Sequence, residues 1–312
     1  MLNRQVAIVF IFKELQLVYL QGSITALTTP FTDSGYIDTN AWRAQIDAQL
    51  HAGTAALVVA GSTGEAAALS DAEFSQLIEF ASVRVRSKIP ILAGTGQSST
   101  AKTIAQTRLA QSSGANIALV VTPPYVRPTQ AGLIAHFKTV AEASEIPIVL
   151  YNVPSRTGCD LLPETTAQLS THPNIIGIKE AVSDAMRWVS LKPLASQSFS
   201  LLSGDDHTFA RAMAVGASGV ISVASNAVPA TFARICKYIT EYRMDEAIAL
   251  NESLTKLYDF LGIEPNPIPI KAIMQILGYG QGLRLPLLPL SNQYQDMAQE
   301  MAAFCKVSEL SI

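Results

Sequence analysis

The chain is short of everything that usually marks a metal, nucleotide or nucleic-acid protein. It has three cysteines, Cys159, Cys236 and Cys305, far apart and without a CxxC pair, and four scattered histidines. Metal centres need such residues at close, regular spacing, so no metal site is expected, and reduced thiols in a cytoplasmic enzyme are the plain reading. Charged residues make up only 15% of the 312 positions, the net charge is −3, and no block of like charge occurs. That leaves no basic footprint for nucleic acid or for an anionic membrane surface, and the expected partner is a small molecule. There is no GxGxxG after the first strand-like run and no GK[ST] anywhere, which argues against dinucleotide and P-loop nucleotide sites.

A bilayer-spanning run is missing too. The stretch "VAIVFIFKELQLVYL" (6–20) is apolar, but Lys13 and Glu14 interrupt it, so the unbroken part is too short to cross a membrane. A signal peptide would need a small-x-small cleavage site, which "VYLQGS" lacks. Residues 1–21 are therefore expected to be an N-terminal extension, either an added strand or helix or the product of a start codon assigned too far upstream.

What is present is a repeating alternation. Short β-rich runs occur near 24–28, 55–60, 90–94, 117–122, 147–151, 175–179, 199–203 and 219–223. Between and after them, segments with helical apolar spacing cover 40–52, 71–86, 100–113, 130–143, 163–170, 184–195, 207–215 and 229–241. Near-continuous apolar strands mean burial on both faces, as in a parallel sheet covered by helices. Eight such units over roughly 220 residues fit an α/β (β/α)8 TIM barrel spanning 22–241 better than an open doubly wound sheet. Residues 242–312 read as two or three C-terminal helices, with "EPNPIPIK" (264–271) as a stiff connection.

In such a barrel the chemistry lies where strands end and βα loops begin. Those ends are rich in hydroxyls and poor in charge, with one exception. Of ten lysines, only Lys179, closing "IIGIK", terminates a predicted core strand. Burial disfavours an ammonium and lowers its pKa, and a free amine forms Schiff bases with carbonyl substrates. The plainer alternative, a snorkelling lysine paired with Glu180, stands beside it. Tyr151, ending the neighbouring strand, is either a satisfied core phenol or a proton relay.

The glycine-framed "GSTGEAAALS" (61–70) reads as a tight turn into a helix whose free N–H groups suit a carboxylate. Glu65 in it is expected to order the loop rather than act as an acid. Asp205 and Asp206 are expected to cap the following helix rather than hold a metal.

Taken together, "GSTGEAAALS", "AGTGQSST", "VVTPPYVRPTQAG", "VLYNVPSRTGCDL", "IIGIKEAVSD" and "LLSGDDHTF" resemble the 4-hydroxy-tetrahydrodipicolinate (dihydrodipicolinate) synthase family of the N-acetylneuraminate lyase superfamily, from Gly22 to about residue 305. The resemblance implies a lyase of lysine and diaminopimelate biosynthesis that condenses pyruvate with L-aspartate 4-semialdehyde. It implies that Lys179 forms the imine, and that Tyr151, Ser62 and Tyr125 relay protons, Tyr125 from a neighbouring subunit. It further implies that Thr63 and adjacent N–H groups hold the pyruvate carboxylate, that Gly204 and Ile221 line the pocket, and that Arg156 binds the second carboxylate. Ser62 stands where the family usually has threonine. No cofactor or metal is implied, and the expected assembly is a homotetramer of two tight dimers.

Two alternatives stay open, another pyruvate-dependent class I aldolase on the same site and a catalytically silent barrel. The resemblance also places an inhibitory lysine site at Ala66, Asp71, Phe74, Ser98, Lys102 and Pro124. Lys102 there replaces a glutamate and Pro124 an aromatic residue, so no lysine feedback is expected.

Overall fold

The computed structural model describes residues 19–310. Eight strands follow one another along the chain: β1 (Gly22–Ala26), β2 (Ala56–Val59), β3 (Ile91–Gly94), β4 (Ile117–Val121), β5 (Ile148–Asn152), β6 (Ile175–Glu180), β7 (Ser200–Ser203) and β8 (Gly219–Ser222). Each pairs in parallel with the next, and β8 returns to β1 through Ile24↔Ile221, closing the expected barrel. Its helices are α1 (Thr39–Ala52), α2 (Asp71–Val85), α3 (Thr100–Ser112), α4 (Gln130–Glu142), α5 (Pro154–Thr157), α6 (Pro163–Leu169), α7 (Ala185–Leu191), α8 (Phe209–Ala214) and α9 (Pro229–Thr240).

The strands are short, apolar and buried because both of their faces are covered. Ile24, Val58, Leu92, Leu119, Val149, Leu202 and Ile221 fill the inside of the barrel together with Tyr151. Alternate residues, such as Leu57, Val59, Ile148 and Leu150, turn outward onto the helices. Fully burying one such side chain is worth about 1.5–3 kcal/mol, so the two layers fix the register of every strand and with it the direction in which each strand-end residue points. Leu20 closes the inside from the N-terminal end, its N–H donating to Ser200 Oγ (2.9 Å) and its carbonyl accepting from Ser218 (2.8 Å). Residues 1–18 of the expected extension lie outside the described residues.

Three local readings differ from expectation. The C-terminal part holds four helices rather than two or three: α10 (Met244–Ser253), α11 (Thr255–Leu261), α12 (Ile268–Ile276) and α13 (Gln295–Leu310). The second half of "EPNPIPIK" is the start of α12, because proline in a first helical turn gives up an N–H that would be unpaired anyway. The glycine-framed loop does not enter a helix directly. It passes through one 3-10 turn at Ala66–Ala68 before Ser70 and Glu73 form a reciprocal cap on α2.

Candidate active site

The register of β5 and β6 places Tyr151 directly opposite Lys179. Both point inward at the C-terminal rim, and the Lys179 Nζ lies 4.5 Å from the centre of the Tyr151 ring. Lys179 is only 5% exposed. Burial draws its pKa down to about 8, Asp206 opposes the shift, and the Arg156 cation adds to it. Tyr151 is pushed up to about 12, again chiefly by burial, with Arg156 and the hydroxyl of Ser62 acting in the other direction. Ser62 is thus close enough to the Tyr151 phenol to favour its charged form. Gly204 supplies the room: a Cβ there would stand 2.8 Å from the Lys179 Cε, so any side chain would push the amine aside.

Lys179, Tyr151, Ser62, Arg156 and Gly204 therefore gather at one end of the barrel, and Ile221 belongs to the same interior cluster as Tyr151. Arg156 sits on α5, a single turn that the sequence periodicity does not reveal. Pro154 starts it and Gly158, in left-handed backbone, ends it, so the Pro-first, Gly-last signature was the legible signal. Thr63 is buried beside them and accepts from the Asn266 side chain (3.1 Å). Tyr125 stays apart. Its side chain is 90% exposed, and its backbone is left-handed with φ 73°.

The acidic residues take supporting parts. Glu65 is enclosed and accepts from Lys271 and from the Arg284 backbone, which is the ordering role expected of it. Asp205 accepts from Thr208 and so caps the approach to α8. Asp206 departs from expectation: its carboxylate reaches across to the N–H groups of Val223 and Ala224 after β8. Behind the rim, the Asn152 amide bridges Asp160 and Glu180, and burial pushes Glu180 up to about 7. No cluster among the described residues has the donors for a metal ion. All three cysteines are free and buried.

The model of the dihydrodipicolinate synthetase family matches residues 19–304. The chain belongs to that family. A 4-hydroxy-tetrahydrodipicolinate synthase of Xanthomonas axonopodis pv. citri is 58% identical over 284 residues, which is 91% of this chain and 94% of the relative. The synthase of Persephonella marina is 45% identical over 279 residues, 88% of this chain and 95% of its own length. Among solved structures, a chloride-inhibited dihydrodipicolinate synthase of Acinetobacter baumannii in complex with pyruvate superposes with a TM-score of 0.89 at 38% identity, covering 92% of this chain and 99% of that one.

Within this dihydrodipicolinate synthetase barrel, the residues that sequence reasoning passed over come from the C-terminal part. Asn266 touches both sides of the site, its amide donating to Thr63 and its carbonyl accepting from Arg156 (3.0 Å). Lys271, on α12, is a second buried lysine, bonded to Glu65 at 2.5 Å and to the Thr29 carbonyl at 2.8 Å.

Proposed function

We propose that this chain is a 4-hydroxy-tetrahydrodipicolinate synthase that works through a Schiff base on Lys179. The observation that carries the residue assignment is the pairing of Lys179 with Tyr151: a desolvated amine with a pKa near 8 stands against a phenol that stays protonated at neutral pH. About one amine in ten is then free at pH 7, some hundreds of times more than for an ordinary lysine. The amine adds to the ketone carbon of pyruvate, the carbinolamine loses water, and the resulting imine loses a methyl proton to become an enamine. The enamine carbon then adds to the aldehyde of L-aspartate 4-semialdehyde. Protons for these steps pass through Tyr151, Ser62 and, from a neighbouring subunit, Tyr125.

Thr63 and the turn around it hold the pyruvate carboxylate, and Ile221 and Gly204 bound the reacting carbons. Arg156 takes the second carboxylate with its planar guanidinium, already held by the Asn266 carbonyl. The assembly that fits Tyr125 is a homotetramer of two dimers, in which this exposed side chain finds cover in a partner's site. Exposed Met186, Val189 and Val215 supply apolar surface for further contacts. No helix among the described residues is long and apolar enough to cross a membrane, and we place the enzyme in the cytoplasm.

The test is to incubate the protein with pyruvate, reduce with borohydride and weigh it, then to assay turnover with L-aspartate 4-semialdehyde. One pyruvyl adduct per chain together with turnover is the expected result. An adduct without turnover means another pyruvate aldolase, and no adduct means a silent barrel.

A further inference from the structure

The turn that carries Ser62 and Thr63 has little of its own to hold it. Its internal hydrogen bonds are three backbone contacts: Gly64 N–H to Gly61 (3.1 Å), Glu65 N–H to Ser62 (3.2 Å) and Ala66 N–H to Gly61 (3.3 Å). Glu65 sits at φ 55°, a left-handed conformation that a residue with a Cβ keeps only when its surroundings impose it. Those surroundings come from some two hundred residues downstream. The Glu65 carboxylate is enclosed between the Lys271 ammonium (2.5 Å) and the Arg284 N–H (3.0 Å). Lys271 also donates to the Thr29 carbonyl (2.8 Å), and the Thr29 hydroxyl donates to the carbonyl of Gly64 (2.6 Å), which closes a ring of contacts around the turn. The Arg284 guanidinium continues the brace along the chain, donating to the Ala68 carbonyl and to the carboxylate of Glu73, which caps α2. Asn266 holds the Thr63 hydroxyl from the same side.

We propose that Lys271 is a positioning residue for pyruvate recognition: by holding Glu65, it fixes the turn that presents Thr63 and its neighbouring N–H groups to the substrate carboxylate. This rests on the assignment of Thr63 to that carboxylate. Lys271 does not touch the reacting atoms. Its effect falls on the first substrate and not on the second, whose Arg156 site is held by α5 and Asn266 instead.

Breaking the pair from one side would leave a buried unpaired charge and unfold part of the protein, so both charges are removed together, in Glu65→Gln/Lys271→Met. Lys271→Arg, which keeps a cation in place, serves as the conservative partner. The full chain is used throughout. In the double variant, KM for pyruvate is expected to rise about tenfold or more while KM for the aldehyde stays within about threefold. Borohydride trapping at saturating pyruvate should persist, and amide exchange of Gly64, Glu65 and Ala66 should accelerate while exchange in β6 does not. Lys271→Arg should recover most of the pyruvate affinity. The proposal is overturned if pyruvate KM in the double variant stays within about twofold of the wild type, or if both KM values rise together with exchange quickening equally in β6. Failure of the wild-type protein to trap pyruvate would instead bring down the Schiff-base assignment beneath it.

Discussion

Two regions of this molecule each bury a lysine, and they treat it in opposite ways. At the end of β6, Lys179 meets the face of a tyrosine ring and, among the described residues, no carboxylate at ion-pair distance. Where α12 meets the glycine-framed loop, Lys271 is as deeply buried but lies 2.5 Å from the Glu65 carboxylate. Burial lowers the pKa of both. Glu65 pulls Lys271 back, whereas Lys179 has only the more distant Asp206 in its favour and the Arg156 cation against it. On the proposed reading, one lysine is a strut and the other a nucleophile. Residue type and burial are shared, so the fixed counter-charge is what separates them.

The largest effect that tests this contrast is loss of the nucleophile. Lys179→Ala should lose pyruvate trapping entirely and turnover by several orders of magnitude while keeping the fold. Peptide mapping of the reduced wild-type adduct should place the label on Lys179 and never on Lys271; label on Lys271 would break the comparison.

A pH series sharpens it. Because the folded pKa of Lys179 is drawn down to about 8, the free amine is the minority form below that pH. The rate of imine formation should therefore rise about tenfold per unit up to roughly pH 8 and flatten above it. Asp206 favours the ammonium, so Asp206→Asn should move the break to lower pH; a break that stays put would remove Asp206 from the electrostatics of the site.

Arg156→Ala should act on the second half-reaction. Losing a charge-assisted contact costs on the order of 1.5–3 kcal/mol, or about 10- to 150-fold in kcat/KM for the aldehyde, with trapping of pyruvate within a few-fold of wild type. Equal damage to both steps would make the arginine structural.

The smallest expected effect is none. A cavity of about 420 Å³ between α2 and α3 is lined by Ala66, Asp71, Phe74 and Lys102, and Ser98 nearby donates to the Pro124 carbonyl. With a cation at Lys102, free lysine at tens of millimolar should leave the initial rate unchanged, because a like charge in a partly desolvated cleft costs as much as a millimolar ligand gains, about 4 kcal/mol. Inhibition below a millimolar would mean that Asp71 or Ser98 holds the ligand despite it.

The barrel strands were legible as near-continuous apolar runs buried on both faces, and the eight helices that follow them as segments with helical apolar spacing. Lys179 was legible because an ammonium at the end of such a strand is chemically out of place. One helical turn has no period to read, so α5 was missed although Arg156 had been singled out on it, and only Pro154 and Gly158 at its ends signalled it. The prolines of "EPNPIPIK" signalled a connection, while the same residues also suit the first turn of α12. Asp206 was read as a local cap because its sequence neighbours offered a helix start, yet its partners lie beyond β8.

By itself, then, the sequence determined the order of the βα units and singled out Lys179 as the candidate amine, since these follow from local pattern and from an ammonium closing an apolar strand. Only the tertiary structure decided which lysine receives a counter-charge. Glu65 and Lys271 are 206 positions apart, and no local pattern encodes a meeting that only the docking of α12 against the glycine-framed loop brings about.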